Sequence, residues 1–255
     1  TSGKQIAEMW ESIKDVFDSF ATNDPDGPPA NAVAPEKAVT RLDLAALEKA
    51  HYNFFNPIRA AVAAILPAQN AVSSASVIAA PASGSGKTVV TLGLMRALKR
   101  RGIKVAPGKA GPDYIDPAFH AAACGASCFN FDPWAMRPSL LLAQAARSRD
   151  AGTLVVEAMM GLFDGAADGS GSAADLAALL RLPVVLVVDC ARTSQSVAAL
   201  VTGFSRFRTD VGVAGVILNR VGSDRHEAML RAAMAQTGVP VFGSLRTDPQ
   251  LVLPE

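Results

Sequence analysis

Short apolar runs alternate with longer amphipathic segments from about residue 71 to the end of the chain. The apolar runs have the length and composition of strands buried on both faces, and we predict strands at residues 77–80, 103–106, 153–157, 184–188, 213–218 and 239–242. The amphipathic segments predict helices at residues 88–101, 172–181 and 224–236. Strands that alternate with helices favour an α/β fold, with an open, mostly parallel sheet and helices on both faces.

The first 70 residues follow a different pattern. Apolar side chains recur at helical spacing over residues 6–20, and a stretch rich in proline and glycine at residues 23–29 then interrupts the pattern. Two further helices are predicted before residue 70, but no group of residues there suggests chemistry. We therefore predict an N-terminal helical extension of unknown role over residues 1–70, joined to the α/β domain over residues 71–255.

Composition excludes several classes of partner. Half of the residues are apolar, 18% are charged and the net charge is +1, so the chain can bury a core and lacks the basic excess typical of nucleic-acid binding. No apolar run approaches the about 20 residues that cross a bilayer. Three irregularly spaced cysteines favour free thiols in a reducing compartment, and no leader-like segment opens the chain. We expect a cytoplasmic protein without nucleic-acid or membrane partners.

A glycine-rich loop lies between the predicted strand at residues 77–80 and the helix that follows it. It contains Ser83, Gly84, Ser85, Gly86, Lys87 and Thr88, and a strand, such a loop and a helix in this order predict a phosphate-binding P-loop. We expect Lys87 to reach the β- and γ-phosphates of a nucleotide and Thr88 to place its hydroxyl on Mg²⁺. Pro81 departs from the usual pattern, which has glycine six residues before the lysine.

A second group of charged residues follows the strand predicted at residues 103–106. Lys109, Asp113 and Asp116 lie on one loop shaped by glycine and proline. Carboxyl ends of parallel strands are where such sheets bind ligands, so we predict that the three side chains lie near the phosphate site. An ordinary charged surface loop is the alternative.

Two further strand ends carry candidate residues. Glu157 ends an apolar strand, where P-loop proteins hold a magnesium ligand, and Asp164 follows it across a glycine-containing loop. Asn219 ends the strand predicted at residues 213–218. Its side chain is placed either to contact the edge of a nucleotide base or simply to cap the strand, and the sequence does not separate these roles.

Five motifs occur in order along the chain, namely SGSGKT, KAGPDYIDPAFH, EAMMGLFDG, GSGSAADLAALLRLPVVLVVD and GVILNR. With these motifs the chain resembles the synthetase domain of cobyrinic acid a,c-diamide synthases, and its loops are most similar to the hydrogenobyrinic acid a,c-diamide synthases of aerobic cobalamin biosynthesis. The resemblance runs from about residue 74 to residue 255. The family is similar in fold to dethiobiotin synthetase, and the wider P-loop group tolerates the altered start of the loop at Pro81.

The resemblance implies an ATP-dependent ligase that amidates the a and c carboxylates of a corrinoid through an acyl phosphate. ATP and Mg²⁺ are the implied cofactors. By family similarity the catalytic residues are Lys87, Asp113, Asp116, Glu157 and Asp164. The resemblance also implies that Thr88 and Glu157 hold the metal, Lys109 faces substrate or phosphate, and Asn219 contacts adenine. It leaves open whether Asp113 and Asp116 bind metal directly or orient ammonia or substrate.

Family members are similar in carrying a second, glutaminase domain whose cysteine nucleophile lies in a glycine-rich turn. The chain ends at Glu255, where that domain would begin, and none of Cys124, Cys128 and Cys190 lies in such a turn. We therefore expect ammonia from a glutaminase domain that is not present in this chain. A homodimer is left open.

Other kinds of protein with the same fold class are alternatives. Cobyric acid synthase and nickel-sirohydrochlorin diamide synthase would amidate another tetrapyrrole at a similar site. A partition-type regulatory ATPase would carry a second lysine where this chain has Ala82. A dethiobiotin synthetase-like enzyme would not explain the paired acids Asp113 and Asp116.

Overall fold

A computed structural model describes residues 75–248 of the chain. Its strands are β1 (Ala75–Ala79), β2 (Val105–Ala110), β3 (Phe129–Phe131), β4 (Thr153–Glu157), β5 (Val184–Asp189), β6 (Val213–Val221) and β7 (Val241–Arg246). Its helices are α1 (Lys87–Arg100), α2 (Asp116–Cys124), α3 (Pro138–Ala151), α4 (Ala173–Leu180), α5 (Ser196–Arg206) and α6 (Asp224–Met234).

The strands form one seven-stranded sheet in the order β3-β2-β4-β1-β5-β6-β7. Every neighbouring pair is parallel, which confirms the predicted parallel α/β sheet. From β1 the chain first builds the sheet on one side, where β4, β2 and β3 lie, and later builds the other side, where β5, β6 and β7 lie. The direction of winding therefore reverses next to β1. Open α/β sheets bind ligands outside the carboxyl ends of the strands at such a reversal, and here the loop after β1 occupies it.

Alternate residues of each central strand pack against different layers. On β1, Val77 belongs to the core cluster that includes Leu141 of α3 and Leu176 of α4, whereas Ile78 belongs to the cluster that includes Leu94 of α1 and Phe119 of α2. The helices therefore cover both faces of the sheet, as predicted. This layering explains why the strands read as continuous apolar runs instead of alternating apolar and polar residues.

Strand β2 differs from its predicted extent. We predicted residues 103–106, but the strand begins at Val105 and continues to Ala110 through Pro107. Proline has no backbone N–H for the ladder, so its presence argued for an earlier strand end. Because β2 continues, Lys109 lies on the strand itself and pairs in register with Glu157 of β4, instead of lying on the following loop.

Four elements had no strong sequence signal. Strand β3 has only three residues, and α2 begins inside a stretch that we predicted as a loop. Helices α3 and α5 were also not predicted, since their exposed faces carry apolar side chains such as Leu140, Leu142 and Leu200 that blur the helical period. In contrast, the start of α4 is as expected, because Ser172 and Asp175 form a reciprocal capping box.

The predicted extension over residues 1–70 lies outside the described residues, so it stays a prediction. Within residues 75–248, no helix combines the length and the apolar character needed to cross a membrane.

Candidate active site

The loop between β1 and α1 has the backbone geometry of an anion site. Gly84 and Gly86 have φ angles of 75° and 84°, which side chains other than glycine rarely adopt. The Ser85 hydroxyl donates a hydrogen bond to the Ala82 carbonyl oxygen at 2.8 Å and holds the loop together. Helix α1 begins with no side-chain cap and no acidic residue in its first turn, so its N–H groups and positive dipole end remain available to a phosphate.

Lys87 is the first residue of α1 and its side chain is largely buried, with 8% of the residue exposed. Burial lowers the pKa of its ammonium, while the charge of Glu157 opposes this effect. A buried cation at the open end of a helix is well placed to bind a phosphate oxygen.

The Glu157 carboxylate is the centre of the charged cluster beside the loop. Its Oε1 accepts a hydrogen bond from the Thr88 hydroxyl at 2.7 Å and lies 3.3 Å from Lys109 Nζ. Its Oε2 lies 2.7 Å from His120 Nε2. Burial of this 0% exposed residue would raise its pKa, but the His120 hydrogen bond and the Lys109 charge outweigh burial and lower the pKa to about 2. Glu157 is therefore ionised at neutral pH.

Lys109 joins this carboxylate to the acids of the next loop. Its ammonium pairs with Asp116 and lies 3.5 Å from Asp113 Oδ2. Burial alone would lower the pKa of Lys109, but Glu157 and Asp116 outweigh it and raise that pKa. For Asp116, burial and the negative charge of Glu157 raise the pKa. The predicted grouping of these charged side chains is present in the structure.

Asp113 also shapes the backbone. Its Oδ1 accepts hydrogen bonds from the backbone N–H groups of Ile115 at 2.8 Å and Asp116 at 3.3 Å, at the start of α2. Asn130 of β3 supports the same loop by donating to the carbonyl oxygens of Gly111 and Asp113 at 2.7 and 2.6 Å. One Asp113 oxygen therefore orders the loop, while the other faces Lys109.

Asp164 lies on the loop after β4, beside the P-loop. Its Oδ2 accepts from the Gly161 N–H at 2.8 Å, and the neighbouring Leu162 N–H donates to the Ala80 carbonyl oxygen at 2.8 Å. Its charge raises the pKa of Lys87, although burial has the larger, opposite effect on that lysine. Asp164 thus lies on a loop that is bonded to the start of the P-loop and is close enough for its charge to act on Lys87.

Asn219 on β6 supports the P-loop directly. Its amide nitrogen donates to the Ser85 carbonyl oxygen at 2.9 Å. A Cβ on Gly86 would lie 2.3 Å from that nitrogen, so any other residue at this position would displace the Asn219 amide. This hydrogen bond uses one of the two amide hydrogens, and the amide oxygen is the acceptor that an adenine amino group would need.

His120 was not assigned a role from the sequence, although it closes the motif KAGPDYIDPAFH. It is fully buried against Glu157. The sequence feature that could have identified His120 is its position four residues after Asp116, because residues i and i+4 of a helix share one face. Since α2 was not predicted, this spacing could not be used.

The oxygen donors at this site fit a magnesium ion. No group of three or more His, Cys, Asp or Glu side chains among residues 75–248 could hold a metal ion alone. Mg²⁺ usually binds through one or two protein oxygens and completes its shell with water and phosphate oxygens. The Thr88 hydroxyl and Glu157 carboxylate are hard donors of this kind, and they lie together at the end of the P-loop.

Comparison with known proteins shows the family of the chain. Residues 76–254 match the family described as the CobQ/CobB/MinD/ParA nucleotide binding domain. The hydrogenobyrinate a,c-diamide synthase of Rhizobium meliloti (strain 1021) is 73% identical over 179 residues, which cover 70% of this chain and 42% of that protein. The protein of the same name from Mesorhizobium japonicum is 55% identical over 185 residues, covering 71% and 42%. The chain thus spans about two fifths of the length of these relatives.

Solved structures share the fold at low sequence identity. The structure of chloroplast FtsY from Physcomitrella patens has a TM-score of 0.52 and 19% identity, and the match covers 80% of this chain and 69% of that one. The signal recognition particle 54 kDa protein from Aeropyrum pernix has a TM-score of 0.50 and 14% identity, with 97% and 57% covered. These likenesses confirm the P-loop type of sheet, and the family match confirms the resemblance found in the sequence. The chain belongs to the CobQ/CobB/MinD/ParA nucleotide-binding family.

Proposed function

We propose that this chain uses ATP and Mg²⁺ to activate the a and c carboxylates of hydrogenobyrinate or cobyrinate for amidation in cobalamin biosynthesis. The observation that carries the proposal is the hydrogen bond between Thr88 and Glu157, which joins the phosphate loop to the charged group around Lys109. The substrate class comes from relatives named hydrogenobyrinate a,c-diamide synthase that are 71–73% identical over the P-loop domain.

A carboxylate must be activated before ammonia can attack it. In the proposed reaction a carboxylate oxygen bonds to the γ-phosphorus of ATP and the bond to ADP breaks, which gives an acyl phosphate. Ammonia then forms a bond to the carbonyl carbon, the carbon–oxygen bond to phosphate breaks, and one ammonia proton leaves with inorganic phosphate. Such a transfer depends mainly on positioning and on stabilisation of charge.

The two sides of the site suit the two reactants. Lys87 and the start of α1 would bind the β- and γ-phosphates, and Thr88 and Glu157 would hold the ion. Bound Mg²⁺ would neutralise part of the negative charge of the phosphates. Lys109 would attract the substrate carboxylate. Asp116, whose pKa burial and Glu157 raise, is suited to take up a proton as ammonia attacks.

Exposed apolar side chains on three loops at the carboxyl edge of the sheet support a large, flat substrate. Tyr114, Trp134 and Met159 are 75%, 70% and 40% exposed, and they lie on the loops that follow β2, β3 and β4. Those loops meet at the carboxyl edge of the sheet, next to the charged cluster. An apolar rim beside a charged site that holds lysine side chains suits a macrocycle that carries carboxylate arms.

Ammonia would come from a glutaminase site elsewhere. Thiolate, not thiol, is the nucleophile in glutamine hydrolysis by a cysteine. Burial raises the pKa of Cys124, and it raises the pKa values of Cys128 and Cys190 to about 12. These are the three cysteines of the chain, and none has an activated thiolate.

The test compares nitrogen donors. The full chain is incubated with ATP, Mg²⁺ and hydrogenobyrinate, together with either ammonium chloride or glutamine, and products are identified by mass spectrometry. We expect mono- and diamide with ammonium only, at a rate that rises with pH as the neutral amine fraction grows. Cobyrinate and nickel-sirohydrochlorin are run in parallel to distinguish other tetrapyrrole ligases. Amidation from glutamine in a preparation free of other glutaminases would contradict the proposed source of ammonia.

A further inference from the structure

The two oxygens of Glu157 contact different neighbours. Oε1 accepts from Thr88 and lies near Lys109, on the side of the phosphate loop, whereas Oε2 faces His120 Nε2 at 2.7 Å. The side chains of His120 and Glu157 are both 0% exposed, so water does not replace their contact. Buried polar atoms almost always have a hydrogen-bond partner, and His120 is the partner of Oε2.

Cys128 indicates which nitrogen of His120 carries the hydrogen. Its Sγ lies 3.6 Å from His120 Nδ1. Burial raises the pKa of the Cys128 thiol to about 12, so the thiol keeps its proton at neutral pH and can donate it to Nδ1. A neutral ring that accepts at Nδ1 carries its hydrogen on Nε2, which is the nitrogen that faces Glu157.

Helix α2 places this ring in the charged cluster. Asp116 and His120 are four residues apart on α2 and therefore share one face. Asp116 pairs with Lys109, and His120 pairs with Glu157, so both contacts of the helix point at the ends of β2 and β4. Phe119 packs into the core cluster shared with α1, which fixes the helix behind these contacts.

We propose that His120 is a positioning residue that holds Glu157 with Oε1 turned toward Thr88 and the magnesium–nucleotide complex. Without the Nε2 donor, Oε2 would be buried with no partner, and the carboxylate would turn to find another donor. The pair of oxygens from Thr88 and Glu157 would then lose its alignment. The inference rests on the proposed role of Glu157 in Mg²⁺ binding.

Two substitutions of similar size imitate different ring nitrogens. The amide nitrogen of His120→Gln can reach the place of Nε2, whereas that of His120→Asn stays near Nδ1 and leaves Glu157 without its donor. Binding of a fluorescent ADP analogue is measured with Mg²⁺ and with EDTA in the full chain. Mg²⁺ should raise the affinity of the unsubstituted chain for the analogue. In His120→Asn we expect this increase to be at least tenfold smaller, while the affinity in EDTA stays unchanged. His120→Gln should keep most of the increase.

Two results would overturn the proposal. One is a Mg²⁺-dependent gain in His120→Asn equal to that of the unsubstituted chain. The other is an equal loss in both variants that follows a lowered melting temperature, because that pattern indicates a packing role only.

A measurement on the unsubstituted chain covers the case in which the variants do not fold. Nitrogen-15 NMR of its three histidines reports which ring nitrogen carries hydrogen, and His51 and His226 variants give the assignments. We expect hydrogen on Nε2 of His120. Hydrogen on Nδ1 alone would overturn the proposal. If the chain bound nucleotide with no Mg²⁺ effect, the proposed function would be contradicted, and the NMR result would still show whether His120 donates a hydrogen bond to Glu157.

Discussion

At the residue scale, the site depends on one carboxylate that stays ionised although it is completely buried. Burial would raise the pKa of Glu157, yet the His120 hydrogen bond and the Lys109 charge lower it to about 2. Thr88 adds a further donor at 2.7 Å. A buried negative charge is expensive unless it is paired and hydrogen-bonded, so these groups must be retained together.

Lys87 gives the sharpest prediction at this scale. In the proposed site its ammonium binds the γ-phosphate, so Lys87→Ala should remove charge stabilisation that grows during phosphoryl transfer. We expect ATP hydrolysis and amidation to fall together by about 100-fold or more, or about 2.7 kcal/mol. Phosphate release and amide formation are measured on the same samples.

Lys104 supplies the matched control. It is an exposed lysine before β2, and Lys104→Ala should leave both rates within about twofold of the unsubstituted chain. Wild-type nucleotide affinity and turnover in Lys87→Ala would refute the assignment of the P-loop.

At the element scale, the loop after β4 connects the two halves of the site. The Leu162 N–H donates to the Ala80 carbonyl oxygen at 2.8 Å, and the Ala158 N–H donates to the Ile78 carbonyl oxygen at 2.8 Å. Gly161 allows the close approach, because a Cβ there would lie 2.6 Å from Asp164 Oδ2 and 2.7 Å from the Pro81 carbonyl oxygen. The loop is thus bonded at two points to the end of β1 and the start of the P-loop.

Gly161→Ala should therefore displace this loop from the P-loop. Overpacking of this kind costs about 1–3 kcal/mol of unfolding free energy, and a displaced P-loop should weaken nucleotide binding by roughly tenfold. Chemical denaturation and fluorescent nucleotide titration measure the two effects.

Gly203→Ala provides the comparison within α5. A Cβ at Gly203 would meet no atom within 4 Å, so we expect this helix substitution to stabilise the chain by about 0.5–1 kcal/mol. Its nucleotide affinity should not change. If Gly161→Ala behaved like Gly203→Ala, the close contact between the loop and Pro81 would not matter for binding.

At the scale of the whole molecule, the sequence predicted the sheet well because its central strands are continuous apolar runs. The phosphate loop was also readable, since the motif at Lys87 lies between a strand and a helix. The position of His120 could not be predicted, because proline and glycine residues in β2 and at the start of α2 indicated a loop there. Which charged groups would meet at Glu157 depended on strand order, and order is set by packing between residues distant in sequence.

Residues 1–70 give a prediction for the whole chain. They lie outside the described residues and outside the family match, which begins at residue 76. We expect that deleting them leaves the melting temperature and nucleotide affinity of residues 71–255 nearly unchanged. Calorimetry is the check, since a domain of this size shifts by about 2–4 °C for each kcal/mol. A drop of several degrees would show that the extension packs against the sheet domain.

We propose that ATP activates a substrate carboxylate as an acyl phosphate, and oxygen transfer tests this step most directly. Hydrogenobyrinate labelled with oxygen-18 in its carboxylates is amidated with ATP and ammonium chloride, and the inorganic phosphate is analysed by mass spectrometry. We predict one labelled oxygen in phosphate for each amide formed, because the attacking carboxylate oxygen leaves with the phosphoryl group. Amide formation that yields unlabelled phosphate would contradict the account.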